Sequence, residues 1–389
     1  MFICKLELKK MSKFNEIRPY YDSEVNGVLK ASLQHPMMKA MMGFTFPDMD
    51  ESVWQEQLSR THSIRDFQIN FVYKSIQKVL ENTSEGFTTS GFENLEPNTS
   101  YLFISNHRDI ILDTSLLNVS LHDHGMVMTA SAIGDNLVQK DFLSKLSKLN
   151  RNFLVKRGVS PRELLQSSKL LSEYILQMLS KENRSVWVAQ REGRTKDGND
   201  ATHPGVLKMI AMANNTDSVT DYFKNLKVVP VSISYEYDPT DALKMPQLLA
   251  QSNDQTYIKE KNEDFINLIS GITGQKKRIH LHVAKPLNEE LDAIAALESN
   301  PNKQIQNIAQ VLDDAILQNY KLWPTNYIAY DILHKTERFK TEYTVQEKQL
   351  FVRRLELRID MDNAEMQNGI LAMYANPVVN KLKYSHVSQ

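Results

Sequence analysis

Between about residue 87 and residue 287 the chain alternates short runs of β-branched and aromatic residues with longer stretches whose apolar positions recur at helical spacing. The runs are YLFISN, GMVMTASA, RNFLVKRG, SVWVAQ, KVVPVSISYEY and RIHLHVA. Few architectures accept that order. Repeated strand–helix–strand units build a largely parallel sheet flanked by helices, because a parallel connection needs a crossover that a helix supplies. The regions on either side lack strand alternation. From Tyr20 to Leu80 apolar residues fall at helical intervals, as in Ile69, Val72, Ile76 and Val79, and from Pro301 onward IAQVLDDAI and EKQLFVRRLELRI read the same way. The expected organisation is α/β, with an α/β domain over 86–300 between a helical N-terminal region over 1–85 and a helical C-terminal region over 301–389.

Charge is distributed unevenly over this frame. The whole chain carries 46 Lys and Arg against 47 Asp and Glu, so there is no global attraction to nucleic acid, and no nucleic-acid partner is expected. From Lys145 to Lys196, however, 12 Lys or Arg face 4 Asp or Glu. Lys156 and Arg157 end one candidate strand; Arg191, Arg194 and Lys196 follow another. Ligands of open α/β sheets bind outside the carboxyl ends of strands, and guanidinium groups grip phosphate oxygens bidentately. The cationic window therefore points to an anionic ligand, with a solvated charged face as the plainer reading.

Strand YLFISN runs into His107-Arg108-Asp109 and then into the helix-like IILDTSLLN. An imidazole at a strand-to-helix turn, with carboxylates two and six residues on, has the parts of a general base and its orienting group. Asp109 also reads as a helix N-cap. Asp113, among Ile110, Ile111, Leu112 and Leu116, needs a polar partner if that turn is buried. Other chemistries fail on their parts. His-Arg-Asp opens the protein-kinase catalytic loop, but Thr114 stands where that loop needs Asn, and there is no glycine-rich loop or Asp-Phe-Gly. No Walker A, H-E-x-x-H or G-x-S-x-G sequence occurs. His122 with His124 and His280 with His282 have the spacing of one strand face, but no third ligand clusters with either pair, so no metal site is expected.

Four blocks then fall in order over 101–235. NHRDIILD, NFLVKRG, REGRTKDG and VVPVSI resemble the four motif blocks of the glycerophospholipid acyltransferase superfamily, which includes glycerol-3-phosphate and 1-acylglycerol-3-phosphate acyltransferases. Two departures stand out. Five residues separate His107 from Asp113 where the family has four, so the extra residue must be absorbed in the turn, and Glu192-Gly193-Arg194 is one residue shorter than the family's Glu-Gly-x-Arg.

The resemblance implies a direct transfer with no cofactor and no covalent enzyme intermediate. His107 removes the proton of an acceptor hydroxyl while Asp113 steadies the ring, and the oxygen attacks an acyl thioester, either acyl-CoA or acyl-carrier protein as co-substrate. Arg157, helped by Lys156, is implied to hold the acceptor phosphate, and Glu192, Gly193 and Arg194 to shape the glycerol-phosphate pocket. Acylation of 1-acyl-sn-glycerol-3-phosphate is the reading favoured. Glycerol-3-phosphate as acceptor, a non-catalytic lipid- or phosphate-binding module that kept the fold, and an acceptor lipid without phosphate remain as alternatives.

A lipid substrate requires contact with a membrane. The longest stretch without Asp, Glu, Lys or Arg is 15 residues, Met366 to Asn380, interrupted by Pro377, which is too short to span. The first ten residues do not read as a secretory signal, and the single cysteine, Cys4, excludes an internal disulfide and fits a reducing compartment. Met11 can equally serve as the start, which would place Cys4 in an extension. The expected location is cytoplasmic, peripheral on the inner face of the membrane. LQHPMMKAMMGFTF puts Met37, Met38, Met41 and Met42 on one helical face before Phe44 and Phe46, a pattern that fits interfacial docking or helix packing; MQNGILAMYANPVV is a second such stretch.

Overall fold

The computed structural model describes residues 13–387; Cys4 and Met11 lie outside the described residues. Seven strands form one sheet: β1 (Ser84–Ser90), β2 (Leu102–Ser105), β3 (Thr129–Gly134), β4 (Asn152–Val155), β5 (Ser185–Ala189), β6 (Val228–Tyr235) and β7 (Lys277–Val283). Their order is β1-β7-β6-β2-β5-β3-β4. Strands β2 to β6 are mutually parallel, β7 runs antiparallel to β6, and β1 pairs parallel with β7. All six β-rich runs of the sequence become strands, and the sheet is largely parallel, with helices on both faces.

Strand β1 has no counterpart among those runs. Its sequence, SEGFTTS, has one large apolar residue, because an edge strand is held by its ladder to β7 more than by buried side chains. Strands β2 and β6 are buried at every position, as central strands covered on both faces must be, although in β6 the buried Ser232 and Ser234 alternate with Val231, Ile233 and Tyr235. Pro230 is tolerated in β6 because it lies one residue before the antiparallel ladder to β7 begins at Val231.

Each face of the sheet carries its own core. On one, Leu102, Ile104, Val186 and Val188 pack against the helices Pro161–Lys181 and Pro301–Asn319. On the other, Phe103, Trp187, Val229 and Ile233 pack against Tyr73–Thr83 and Leu112–Asp123. The helix Pro161–Lys181 starts sharply because Ser160 and Glu163 form a reciprocal capping box around Pro161.

The flanking helices add two further cores, and of the two readings that the methionine-rich stretches leave open, docking or helix packing, both cores show packing. Met38 and Met42 are fully buried with Trp54, Phe67 and Phe71, and Met37 and Met41 pack against them. Ile370, Leu371, Met373 and Tyr374, from the second apolar stretch, are likewise buried, against Met245 and Phe351. Both stretches are apolar in order to pack helices together. No helix among the described residues is long and apolar enough to cross a membrane.

The β1–β7 edge carries a titratable pair. His280 bonds Thr88 at 2.8 Å and Ser90 at 3.0 Å, and His282 bonds Ser90 at 2.8 Å. Burial, with smaller contributions from Lys321 and His282, pushes the His280 imidazole from 6.5 down to about 4. The unfolded chain then binds more protons than the folded one between these values, so stability is lost as pH falls from about 6.5 towards about 4. His280→Gln is expected to flatten part of that slope in urea unfolding measured across the window; an unchanged slope contradicts it.

Candidate active site

Parallel strands β2, β4, β5 and β6 end on one edge of the sheet, so the loops that follow them meet there. His107 comes two residues after β2 and Asp113 lies in the first turn of the helix Leu112–Asp123. Asn106 pins this turn to the sheet, donating to the Ile233 carbonyl at 2.9 Å and accepting the Ile233 amide at 2.8 Å.

The Asp113 carboxylate is fully buried. Its Oδ2 meets His107 Nδ1 at 2.8 Å and accepts the amides of Arg108 at 2.6 Å and Asp109 at 3.0 Å. Its Oδ1 accepts the Tyr235 hydroxyl at 2.8 Å. Four donors around one carboxylate offset the cost of taking it out of water, and its place at the helix N-terminus adds a favourable dipole. Because Nδ1 donates to Asp113, the ring's proton-accepting nitrogen is Nε2. The imidazole also stands edge-on to Trp187, whose indole donates to Ser105 Oγ at 2.9 Å.

The sequence left two carboxylates open as partners of His107, and the structure puts Asp113 there. Asp109 caps the helix instead: its Oδ1 accepts the amides of Ile111 at 2.9 Å and Leu112 at 2.8 Å. The additional residue between His107 and Asp113 is taken up in the irregular turn ahead of that helix. Burial, and then the Asp113 charge, raise the Asp109 carboxyl above its usual range.

The other sequence-predicted residues surround the same space. His107, Lys156, Arg157, Glu192, Gly193 and Arg194 all line one cavity of about 1150 Å³, and Asp113 sits behind the ring. Arg157 forms an ion pair with Glu192 at 2.8 Å, joining the loops after β4 and β5. Lys156 is turned partly outward, to Glu16 at 3.0 Å. Gly193 stands at φ +69, where a glycine is favoured, and Arg194 donates to Thr240 Oγ1 at 3.1 Å. The Thr195 amide donates to the His107 carbonyl at 3.0 Å, so the loop after β5 is tied directly to the histidine turn.

The cavity lining is also partly apolar, with Ile133, Leu154, Val155, Leu171 and Val188 contributing to it. Lys196 also lines it; burial, and then Arg194 and Lys244, press its ammonium down to about 7. Among the described residues no group of three His, Cys, Asp or Glu is placed to hold a metal ion. The arrangement presents a hydrogen-bonded base, cationic side chains and apolar side chains to one cavity.

Tyr235, Trp187, Asn106 and Lys244 also build the site and do not stand out in the sequence. Tyr235 ends β6 and Trp187 lies within β5, and both read there as ordinary core residues. Asn106 is adjacent to His107 and was the one most open to notice.

Residues 86–234 match the acyltransferase family, a segment that runs from β1 to the penultimate residue of β6. No curated protein matches the chain. Among solved structures, the crystal structure of the 1-acyl-sn-glycerophosphate acyltransferase PlsC from Thermotoga maritima aligns at 13% identity and a TM-score of 0.37, over 76% of this chain and 98% of that one.

Asp109 offers a test of the turn. Its raised carboxyl pKa means that the folded state binds the proton more readily than the unfolded one, so ionising Asp109 costs stability as pH rises through that range. Asp109→Asn, which keeps the capping oxygen without the charge, is expected to match or exceed the parent's stability at neutral pH. Asp109→Ala, which loses the cap, should cost about 0.5–2 kcal/mol in urea unfolding. Equal losses in both variants would contradict the capping role.

Proposed function

We propose, from the match of residues 86–234 to the acyltransferase family and from the four motif blocks that resemble those of the glycerophospholipid acyltransferases, that this chain moves a fatty acyl group from an acyl thioester to the hydroxyl of 1-acyl-sn-glycerol-3-phosphate. The observation that carries the reading is the His107–Asp113 pair on the wall of a cavity lined also by cationic and apolar side chains.

In this reading the acceptor hydroxyl donates to His107 Nε2. As its oxygen attacks the thioester carbonyl, the proton passes to Nε2 and the imidazolium is stabilised by Asp113. The tetrahedral intermediate collapses with cleavage of the carbon–sulfur bond, and the imidazolium returns the proton to the departing thiolate. The ester forms, the thiol leaves, and the enzyme ends as it began. Nothing in the cycle needs a nucleophilic side chain or a cofactor.

Arg157 is assigned to the acceptor phosphate, with Glu192 setting the direction of its guanidinium through their ion pair. Arg194, projecting from the Gly193 turn, is assigned to the glycerol-phosphate end, and Lys156, partly engaged by Glu16, adds charge at the rim. The apolar side chains would receive an acyl chain. Acyl-CoA or acyl-carrier protein is the proposed donor. Acceptor and product are both lipids, so we place the reaction at the cytoplasmic face of a membrane with the protein bound peripherally. Met38, Met42 and Met373 are buried and cannot supply that contact. Leu164, which lines the cavity, and its neighbour Leu165 are exposed at 51% and 63% and supply apolar surface at its rim.

The test is transfer from a labelled acyl thioester to 1-acylglycerol-3-phosphate, to glycerol-3-phosphate and to a lipid hydroxyl without phosphate. The first acceptor is expected to be preferred. His107→Ala should lower kcat about 10²- to 10⁴-fold. Arg157→Ala should chiefly raise the acceptor KM. Undiminished turnover in His107→Ala contradicts the mechanism, preference for glycerol-3-phosphate moves the chain to the first acylation step, and binding without turnover leaves a lipid-binding module.

A further inference from the structure

The turn that carries His107 continues into a buried polar network that the transfer chemistry does not itself use. Lys244 lies on the helix Asp241–Ser252, beyond the segment that matches the family, and is 1% exposed. Its ammonium pairs with Asp238 and donates to the carbonyl oxygen of Arg108 at 3.1 Å. The peptide unit joining Arg108 to Asp109 is thereby gripped at both ends. Its carbonyl accepts from Lys244, and its amide donates at 3.0 Å to the same Asp113 oxygen that meets His107 Nδ1.

A cationic donor on the carbonyl polarises the peptide and strengthens its amide as a donor, so the two bonds reinforce each other in a dry setting. Burying an ammonium group is costly, and burial does lower the Lys244 pKa, with Asp238 opposing that shift. The cost is borne at the one point where this side chain reaches the histidine turn.

Lys244 is itself held from the C-terminal helices. Asp238 accepts the Thr240 amide at 2.9 Å and hydroxyl at 3.0 Å, and its own amide bonds Tyr374 Oη at 3.0 Å. Asp241, at the start of the same helix, is paired with Arg354 at 3.0 Å and Arg358 at 2.6 Å and accepts the Tyr374 hydroxyl at 2.7 Å. The ammonium group is thus fixed from a part of the chain well outside the α/β sheet.

We propose that Lys244 is a positioning residue for the His107 imidazole, acting through the Arg108 carbonyl to fix the peptide that aims Asp113 at the ring. The proposal rests on the acyl-transfer reading in taking His107 as the base. Lys244 also lines the cavity, so direct contact with substrate is the competing role.

Two variants separate these. Lys244→Met combined with Asp238→Asn removes both charges, leaving neither partner buried and unpaired. Lys244→Arg keeps a cationic donor of different reach. The double variant is expected to lose about 10- to 100-fold in kcat with the acceptor KM changed by no more than about twofold, and Lys244→Arg to lose less. A second readout needs no substrate: the low-field proton resonance of His107 Nδ1–H in its bond to Asp113 should be present in the unmodified protein, weakened in Lys244→Arg and lost in the double variant.

A folded variant with parental kcat and an unmoved resonance overturns the proposal. So does a rise in acceptor KM at constant kcat, which would make Lys244 a substrate contact. Absence of turnover in the unmodified protein removes the acyl-transfer reading, whereas the resonance still decides what Lys244 does to the histidine turn.

Discussion

A single buried carboxylate organises this protein. Asp113 accepts hydrogen bonds from a ring nitrogen, two backbone amides and a phenol, and each donor comes with a structural consequence. The amides of Arg108 and Asp109 set the curvature of the turn after β2. The phenol of Tyr235 ties that turn to the end of β6, and the bond to His107 Nδ1 decides which ring nitrogen is offered to the cavity. An uncompensated carboxylate buried this deeply would cost several kcal/mol. The turn exists in its present shape because it supplies the compensation, and the same shape makes the imidazole useful.

The second constraint is where positive charge is left over. Several cations near the site are already engaged: in the window Lys156 with Glu16 and Arg157 with Glu192, and outside it Arg108 with Asp200. Arg194 and Lys196, by contrast, face the cavity with hydrogen bonds only to a hydroxyl and a carbonyl, and Lys196 is pressed down to about 7 by burial and by Arg194 and Lys244. An anionic group entering there relieves repulsion among the cations as well as making bonds of its own. Loops from four parallel strands converge on this point, which is why a sheet of this topology can assemble such a wall from residues about 90 positions apart in sequence.

Much of this was legible beforehand. The central strands β2, β5 and β6 announce themselves because they are buried on both faces, and β4 and β7 carry enough apolar residues to read as strands as well. His107 and Arg157 were recognisable from their places at strand ends, and Glu192 from the motif block it belongs to. What escaped was set by contacts between distant segments. Strand β1 carries little apolar signal because it sits at the edge. Tyr235 and Lys244 acquire their roles only when β6 and the helix Asp241–Ser252 are brought beside the histidine turn. The methionine-rich helix is ambiguous in sequence for a related reason: an apolar face intended for a neighbouring helix has the same period as one intended for a lipid surface. Only the packing of Met38 and Met42 against Trp54 and Phe71 tells them apart.

The central claim is that Asp113 commits His107 to one tautomer, with the proton on Nδ1 and a lone pair on Nε2. Nitrogen-15 NMR of the imidazole in the unmodified protein, at a pH where the ring is neutral, reads this directly. The account predicts a protonated Nδ1 and an unprotonated Nε2. A ring protonated at Nε2, with Nδ1 bare, would leave no base facing the cavity and would contradict it.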